Sequence, residues 1–376
     1  MIRSRPGADQ APDVVEQAGE IRLARVESVR GVAAMLIIVA HLWGETHRTA
    51  ASFWGTYWRR IVAGAGFSLW VFFALSGYLL FWPFVRSAFG DGGRLSLRQY
   101  ALNRAIRILP LYYFAVVVLL IFEDGGDRFQ LAWRHALFVQ QAWRSSLGAL
   151  DAPLWSVAVE LQFYTLLPVL AALLLWLGRG SRWRVAASLV LLGVAAELAR
   201  RWLAPTDNDL WGFQLVTTFQ FFAAGMCLAL LRHAWEERPP RVLEGPLGNS
   251  NLWALASLPL WALVIWHFDL EWLCAPASFL VIGALVLPLR PGVFSRVMEL
   301  KLLAIVGIAS YSVYVWHVPI IEALGGGRGL TGGTFLAVVA VLLPVCVIAG
   351  WLSFRLIEAP ALRRRRQWAA GAAPKT

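Results

Sequence analysis

The sequence predicts an all-α integral membrane protein of about ten transmembrane helices, with both termini cytoplasmic. Three observations carry that prediction. The 376 residues are 59% hydrophobic and only 15% charged, with a mean hydropathy of +0.60. An ordinary soluble domain is roughly 45–50% apolar and about 25% charged, and surface area grows too fast with size for a water-soluble fold to hide this excess. Ten apolar runs approach the ~20 residues that a helix needs to cross a hydrocarbon core. The basic residues alternate between the ends of those runs: of the 34 Lys and Arg, 25 fall on the side of the N-terminus and nine on the other. The positive-inside rule therefore puts both termini in the cytoplasm.

In order, the runs cover residues 30–44, 61–85, 108–122, 154–177, 185–198, 210–231, 252–268, 272–289, 302–321 and 334–354. The second, sixth and tenth contain no charge. The first and fifth are short, and the first needs residues 21–29 to complete a crossing. Residues 131–143 carry Arg134 and His135 and read as a loop or interfacial helix. The chain divides into a flexible cytoplasmic tail at 1–20, a membrane domain at 21–362 and a basic cytoplasmic tail at 363–376. The first 20 residues are polar and hold Pro6 and Pro12, so no cleavable signal peptide is expected there. Arg363–Arg366 read as a topology anchor or a contact with anionic lipid.

A net charge of +11 would suggest nucleic acid for a soluble chain. Here the basic residues lie between apolar runs, so the expected partner is the bilayer and not nucleic acid. The 20 Trp suit two membrane–water interfaces. Cys227, Cys274 and Cys346 lie in three different runs with no metal-ligand or disulfide spacing, and no metal is expected.

An ionisable residue inside a span costs about 2.5–3.5 kcal/mol on insertion scales and marks a functional candidate. Arg30 and His41 stand eleven residues apart, which is three helical turns and roughly 16 Å, so they share a face. A guanidinium can grip a phosphate bidentately and a neutral imidazole can accept a proton; equally, Arg30 fits a topology charge and His41 an interfacial histidine. Glu160, with Ser156 and Tyr164 one turn to either side, falls in the outer half of its span near the depth of His41, either as a catalytic carboxylate or as a packing partner. Ser310, Tyr314 and His317 form a polar stripe at i, i+4 and i+7, lining a wet cavity or bonding between helices. Arg104 and Arg107 share a face at the start of the third run, as a phosphate clamp or an interface anchor.

Taken together, R-x10-H in the first run, FFALSGYLL, the two arginines before Pro110, LWSVAVELQFY, SYSVYVWHVPI and the closing IEAP at Glu358 resemble the membrane acyltransferase-3 family. Its members include O-antigen and Nod-factor O-acetylases and macrolide acyltransferases. The resemblance runs from about Arg25 to Arg364 and implies a ten-span core. It also implies transfer of an acyl group, expected to be acetyl, from cytoplasmic acyl-CoA to a hydroxyl of a sugar or glycosylated acceptor, with acyl-CoA as co-substrate and no tightly bound cofactor. Many relatives carry a further extracytoplasmic esterase-like domain, which this chain is expected to lack. The roles implied are His41 as general base, oriented by Glu160; Arg30, Arg104 and Arg107 on the donor; and Ser310, Tyr314 and His317 on the acceptor. Attack is direct or passes through an acyl-histidine. The competing reading is a glycoconjugate transporter or flippase that uses the same polar cavity without making bonds.

Overall fold

The structure, a computed structural model, describes residues 11–46, 55–90, 93, 95–124, 127–204, 210–325 and 332–364. These are almost entirely helical: α1 (Ala11–Thr46), α2 (Gly55–Gly64), α3 (Leu69–Phe89), α4 (Leu97–Phe122), α5 (Arg128–Ala136), α6 (Leu154–Gly178), α7 (Arg182–Leu203), α8 (Leu215–Glu237), α9 (Ser250–Trp266), α10 (Cys274–Val286), α11 (Val293–Val297), α12 (Lys301–Ile308), α13 (Ser310–Ala323) and α14 (Gly332–Ser353). Local chemistry sets several boundaries. Ser96 and Asp127 cap α4 and α5 by accepting from the backbone N–H groups of Gln99 and Gln130, as short polar side chains do at helix starts. Residues 131–143, expected as a loop or interfacial helix, form α5 and a short 3-10 turn. Proline lies inside α3, α4, α6, α9, α13 and α14, a frequency that fits helices packed in a membrane.

Among the described residues, six helical stretches are long and apolar enough to cross a bilayer: Arg60–Phe89, Leu97–Phe122, Leu154–Gly178, Leu210–Glu237, Phe268–Val286 and Phe335–Arg364. A seventh is obtained if α12 and α13, bent by 71°, count as one broken span. The expected ten is therefore not reached by length and composition. Of the remaining runs, α9 has only 17 residues. The apolar run of α7 is short, because Arg182, Arg184, Glu197, Arg200 and Arg201 occupy its two ends. That of α1 is cut short by Arg25, Glu27 and Arg30. Of the two expected tails, residues 1–10 and 365–376 lie outside the described residues, and α1 already begins at Ala11.

Buried positions on α1 are consecutive as well as periodic: Ala33, Ala34, Ile37 and Ile38 are all in the core. At ~100° per residue these positions fill one arc of about 140°, and Leu36 on the far side is exposed, so α1 turns one broad face to the core. Its placement depends on a close crossing with α12. A Cβ on Gly31 would lie 2.6 Å from the carbonyl oxygen of Leu303, and one on Gly307 would lie 1.7 Å from that of Glu27. The crossing of α3 with α8 is as tight. A Cβ on Gly77 would meet the Phe222 carbonyl oxygen at 2.1 Å, and one on Gly225 the Ala74 carbonyl oxygen at 1.8 Å. Small residues at such crossings let dispersion contacts accumulate between backbones where lipid offers no hydrophobic drive. Around the second crossing, Phe222 stacks on both Phe73 and Phe163, at centroid separations of 4.5 and 4.1 Å. These crossings fix α1 and α3, the helices that carry the candidate site.

Because backbone cannot yield as a flexible side chain can, Gly225→Ala is expected to abolish monodisperse protein in size-exclusion chromatography. Gly193→Ala, whose nearest neighbour would be at an ordinary 3.6 Å, should leave the elution profile unchanged.

Candidate active site

Three cavities follow one another along α3. The widest, about 330 Å³, lies between the end of α3 and the start of α4 and is lined by Trp82, Arg86, Gln99, Tyr100, Asn103 and Arg104. Through Leu79, Leu80 and Arg104 it meets a second cavity of about 60 Å³, lined by Arg30, Ser76, Arg107, Glu160, Tyr164 and Tyr311. Phe72, Glu160 and Tyr311 in turn border a third, of about 30 Å³, lined also by Ser156, Ser310 and Tyr314. From Arg86 back to Leu69, the α3 residues that border these spaces span about 25 Å at ~1.5 Å per residue.

The second cavity gathers the three expected donor residues, Arg30, Arg104 and Arg107. Arg30 faces Glu27 at 3.6 Å. The Nε of Arg104 and Nη2 of Arg107 are buried and make no hydrogen bond. Buried donors are ordinarily satisfied, and both of these guanidinium groups stand beside the cavity. Glu160 accepts a short hydrogen bond from Ser76, whose hydroxyl also lies 3.2 Å from that of Tyr164.

Glu160 was expected to orient His41. Nδ1 of His41 lies 3.0 Å from the Ile37 carbonyl oxygen and 3.3 Å from Nε2 of His317, and Glu160 bonds to Ser76. The carboxyl lines the same cavity as the three arginines. His317 stands beside His41. Its Nδ1 lies 2.6 Å from the Tyr314 carbonyl oxygen. A carbonyl only accepts, so this nitrogen carries the proton and Nε2 of His317 is the acceptor. Nδ1 of His41 then donates, and the lone pair of His41 is placed on its Nε2. The rings meet edge to face with centroids 4.8 Å apart.

His317 is itself fully buried and lines none of the three cavities described. The other two members of its stripe do border a cavity. Ser310 stands at the break between α12 and α13, with a buried hydroxyl that has no partner. Tyr314 shares a 2.7 Å hydrogen bond with Ser156 and places its ring 5.5 Å from His317. Sequence reasoning assigned no role to Ser76, Tyr311 or Glu358, although all three lie within motifs it singled out. It passed over Asp151, whose only signal is a carboxylate directly before an apolar run. Among the described residues no three His, Cys, Asp or Glu side chains converge as metal ligands, and the three cysteines are free thiols.

A helical membrane protein with polar cavities that lead to a histidine pair is a class many chains could fill; the comparisons narrow it. The family model described as "Acyltransferase domain" matches residues 23–355, and the chain belongs to that acyltransferase-3 family. It is 26% identical to "Putative peptidoglycan O-acetyltransferase YrhL" of Bacillus subtilis (strain 168), over 77% of this chain and 49% of that protein. It is 23% identical to O-acetyltransferase OatA of Staphylococcus aureus (strain NCTC 8325 / PS 47), over 91% of this chain and 57% of that protein. The chain thus spans about half the length of the curated relatives it matches. No solved structure matches it.

Asp151, just before α6, is only 4% exposed, and neither of its carboxyl oxygens has a hydrogen-bond partner. Burial, reinforced by the nearby Glu322, holds this carboxyl well above the usual carboxylate range. A carboxyl with a raised folded-state pKa costs no stability below its unfolded pKa of about 4, and costs progressively more as pH rises above it. Asp151→Asn should therefore melt above the wild type at pH 7–8, with the difference closing as pH falls toward 4. Thermal unfolding in detergent across that range checks this; a constant or inverted difference would show that the carboxyl is ionised in the folded protein.

Proposed function

We propose that this chain transfers an acetyl group from acetyl-CoA, bound from the cytoplasmic side, to a hydroxyl of a sugar or glycosylated acceptor. The observation that carries the reading is the run of cavities along α3, basic at its wide end and meeting the His41–His317 pair through Tyr314. The wide cavity reaches the ~300 Å³ at which small-molecule pockets begin. Its Trp82, Arg86, Gln99, Asn103 and Arg104 suit the base and phosphates of the donor's nucleotide. Arg30, Arg104 and Arg107 would grip phosphate oxygens, and the pantetheine arm would follow α3 past Tyr311. The thioester carbonyl would then lie near Ser310 and Tyr314, beside the histidine pair. The arginines border segments that the charge distribution assigns to the cytoplasm, which supports the sidedness. A sugar acceptor draws support from the relative named for peptidoglycan.

In the step proposed, Nε2 of His41 takes the proton of the acceptor hydroxyl as its oxygen attacks the thioester carbonyl carbon. The tetrahedral intermediate collapses with cleavage of the C–S bond. The imidazolium returns its proton to the departing thiolate, leaving the acetyl ester and free CoA. His317, with Nε2 facing Nδ1–H of His41, would hold the base in the required tautomer and spread the transient charge. Transfer is direct and needs no acyl-enzyme. The Ser76-bonded carboxylate of Glu160 fits a structural counter-charge to the arginines in place of the catalytic part foreseen for it. Family membership favours bond-making over a transporter.

The test is release of CoA thiol by purified protein given acetyl-CoA and a peptidoglycan disaccharide, alongside donor binding by calorimetry. His41→Ala should lower turnover by about 10²–10⁴-fold, the scale of a lost general base, with donor affinity unchanged. Arg104→Ala and Arg107→Ala should each weaken donor binding by about 1–3 kcal/mol, the scale of a charge-assisted hydrogen bond. A well-folded His41→Ala protein that keeps more than about a tenth of wild-type turnover would remove His41 as the base. Uptake of the disaccharide into vesicles without thiol release would favour transport.

A further inference from the structure

The smallest cavity along α3, about 30 Å³, has a defined entrance and a defined end. Phe72, Glu160 and Tyr311 border both it and the arginine cavity, and so mark the entrance. Two helices agree on the direction beyond it. On α3 the arginine cavity is bordered by positions between 72 and 80, and the small one by positions between 69 and 73. On α6 the corresponding positions are 160 and 164, then 156, 157 and 160. Leu69, Phe73 and Val157 therefore form the apolar end of the space, away from the arginines.

Its polar groups are almost all engaged with one another or with backbone. Ser156 and Tyr314 share their 2.7 Å hydrogen bond, Tyr311 donates to the Ile108 carbonyl oxygen at 3.1 Å, and Glu160 accepts from Ser76. The fully buried Ser310 hydroxyl has no partner. The cavity thus offers one unspent hydroxyl among apolar walls. A water needs about 10–15 Å³ of cavity, so the space holds about two or three groups of that size. A carbonyl and one methyl fill it.

The end wall is also fixed. Phe73, 1% exposed, stacks on Phe222 at 4.5 Å and meets Trp70 and Trp155 edge to face at 5.3 and 6.3 Å. Phe222 cannot retreat, because its own carbonyl abuts Gly77 at the crossing of α3 with α8. A wall packed in this way does not accept a further methylene without strain.

We propose that this cavity is the acyl chamber, and that Phe73, with Leu69 and Val157, restricts the donor to a two-carbon acyl group. The Ser310 hydroxyl meets the carbonyl oxygen and the methyl turns toward Phe73. The assignment rests on the donor reading above and adds to it the residues that set acyl length.

The affinities of purified protein for CoA, acetyl-CoA, propionyl-CoA and butyryl-CoA, read by calorimetry without an acceptor, test it. The wild type should bind butyryl-CoA at least about tenfold more weakly than acetyl-CoA, the scale on which a pocket senses a methylene, with propionyl-CoA between them. Phe73→Ala should bring butyryl-CoA to within about threefold of acetyl-CoA and leave the affinity for CoA unchanged. Should that variant not fold, Val157→Ala opens the same space from α6 and should narrow the gap for propionyl-CoA. Val157→Leu fills the space instead, and should weaken acetyl-CoA relative to CoA. Equal wild-type affinity for acetyl-CoA and butyryl-CoA, or a butyryl-CoA penalty that no opening variant reduces, would overturn the chamber and leave the donor reading standing. Failure of the folded wild type to bind CoA or any of its esters would reject the donor reading and the chamber with it.

Discussion

Guanidinium groups inside a bundle of apolar helices impose the constraint on which the rest of this structure depends. A cation removed from water is strongly destabilising unless an opposite charge and hydrogen bonds compensate it. Here Arg30, Arg104 and Arg107, from two different helices, converge on one small cavity. Glu27 faces Arg30 from the same helix at 3.6 Å, and Glu160 of α6 lines the same cavity as the three arginines. A cluster balanced from this many elements ties those elements together. The glycine contacts of α1 with α12 and of α3 with α8 bring backbones close enough for the cluster to form.

The same constraint separates two chemistries that helix arithmetic alone had merged. Carboxylates collect around the arginines, and the histidines are left to each other. His41 and His317 meet edge to face, and the Nδ1 of each lies within hydrogen-bond distance of a backbone carbonyl. Between the two regions lie Ser310, Tyr311 and Tyr314, on the helix that begins where α12 breaks by 71°. A broken helix exposes backbone and hydroxyl groups to a cavity, and non-helical backbone at membrane depth is tolerated only where it is buried in protein or lines such a space.

Much of this was legible in the sequence. Composition gave the class of fold, and the eleven-residue spacing put Arg30 and His41 on one face of α1. The i, i+4, i+7 stripe found Ser310, Tyr314 and His317, and the three arginines were named before their convergence was visible. What was not legible has a physical reason. Span direction predicts only the depth of Glu160 and not its azimuth, so the hydrogen bond from Ser76 was not legible: depth is one coordinate, and a hydrogen bond needs three. The count of ten is not confirmed by length and composition, because helices such as α7 and α9 are short or charged at their ends. The buried Glu358 had no periodic signal, since a π-turn at Phe354–Glu358 breaks the 3.6-residue phase on which pattern reading relies. Asp151 likewise stands outside any helix, where periodicity says nothing.

The central claim is that one path along α3 carries the donor from the arginine cavity to the histidine pair. A cryo-EM structure of the protein in nanodiscs with a non-hydrolysable acetyl-CoA analogue tests it most directly. The account predicts the nucleotide between the end of α3 and the start of α4, phosphates against Arg104 and Arg107, and the acyl carbon within reach of His41 beside Tyr314. An analogue seated elsewhere, or one whose acyl end stops short of Tyr311 with His41 walled off, would contradict it.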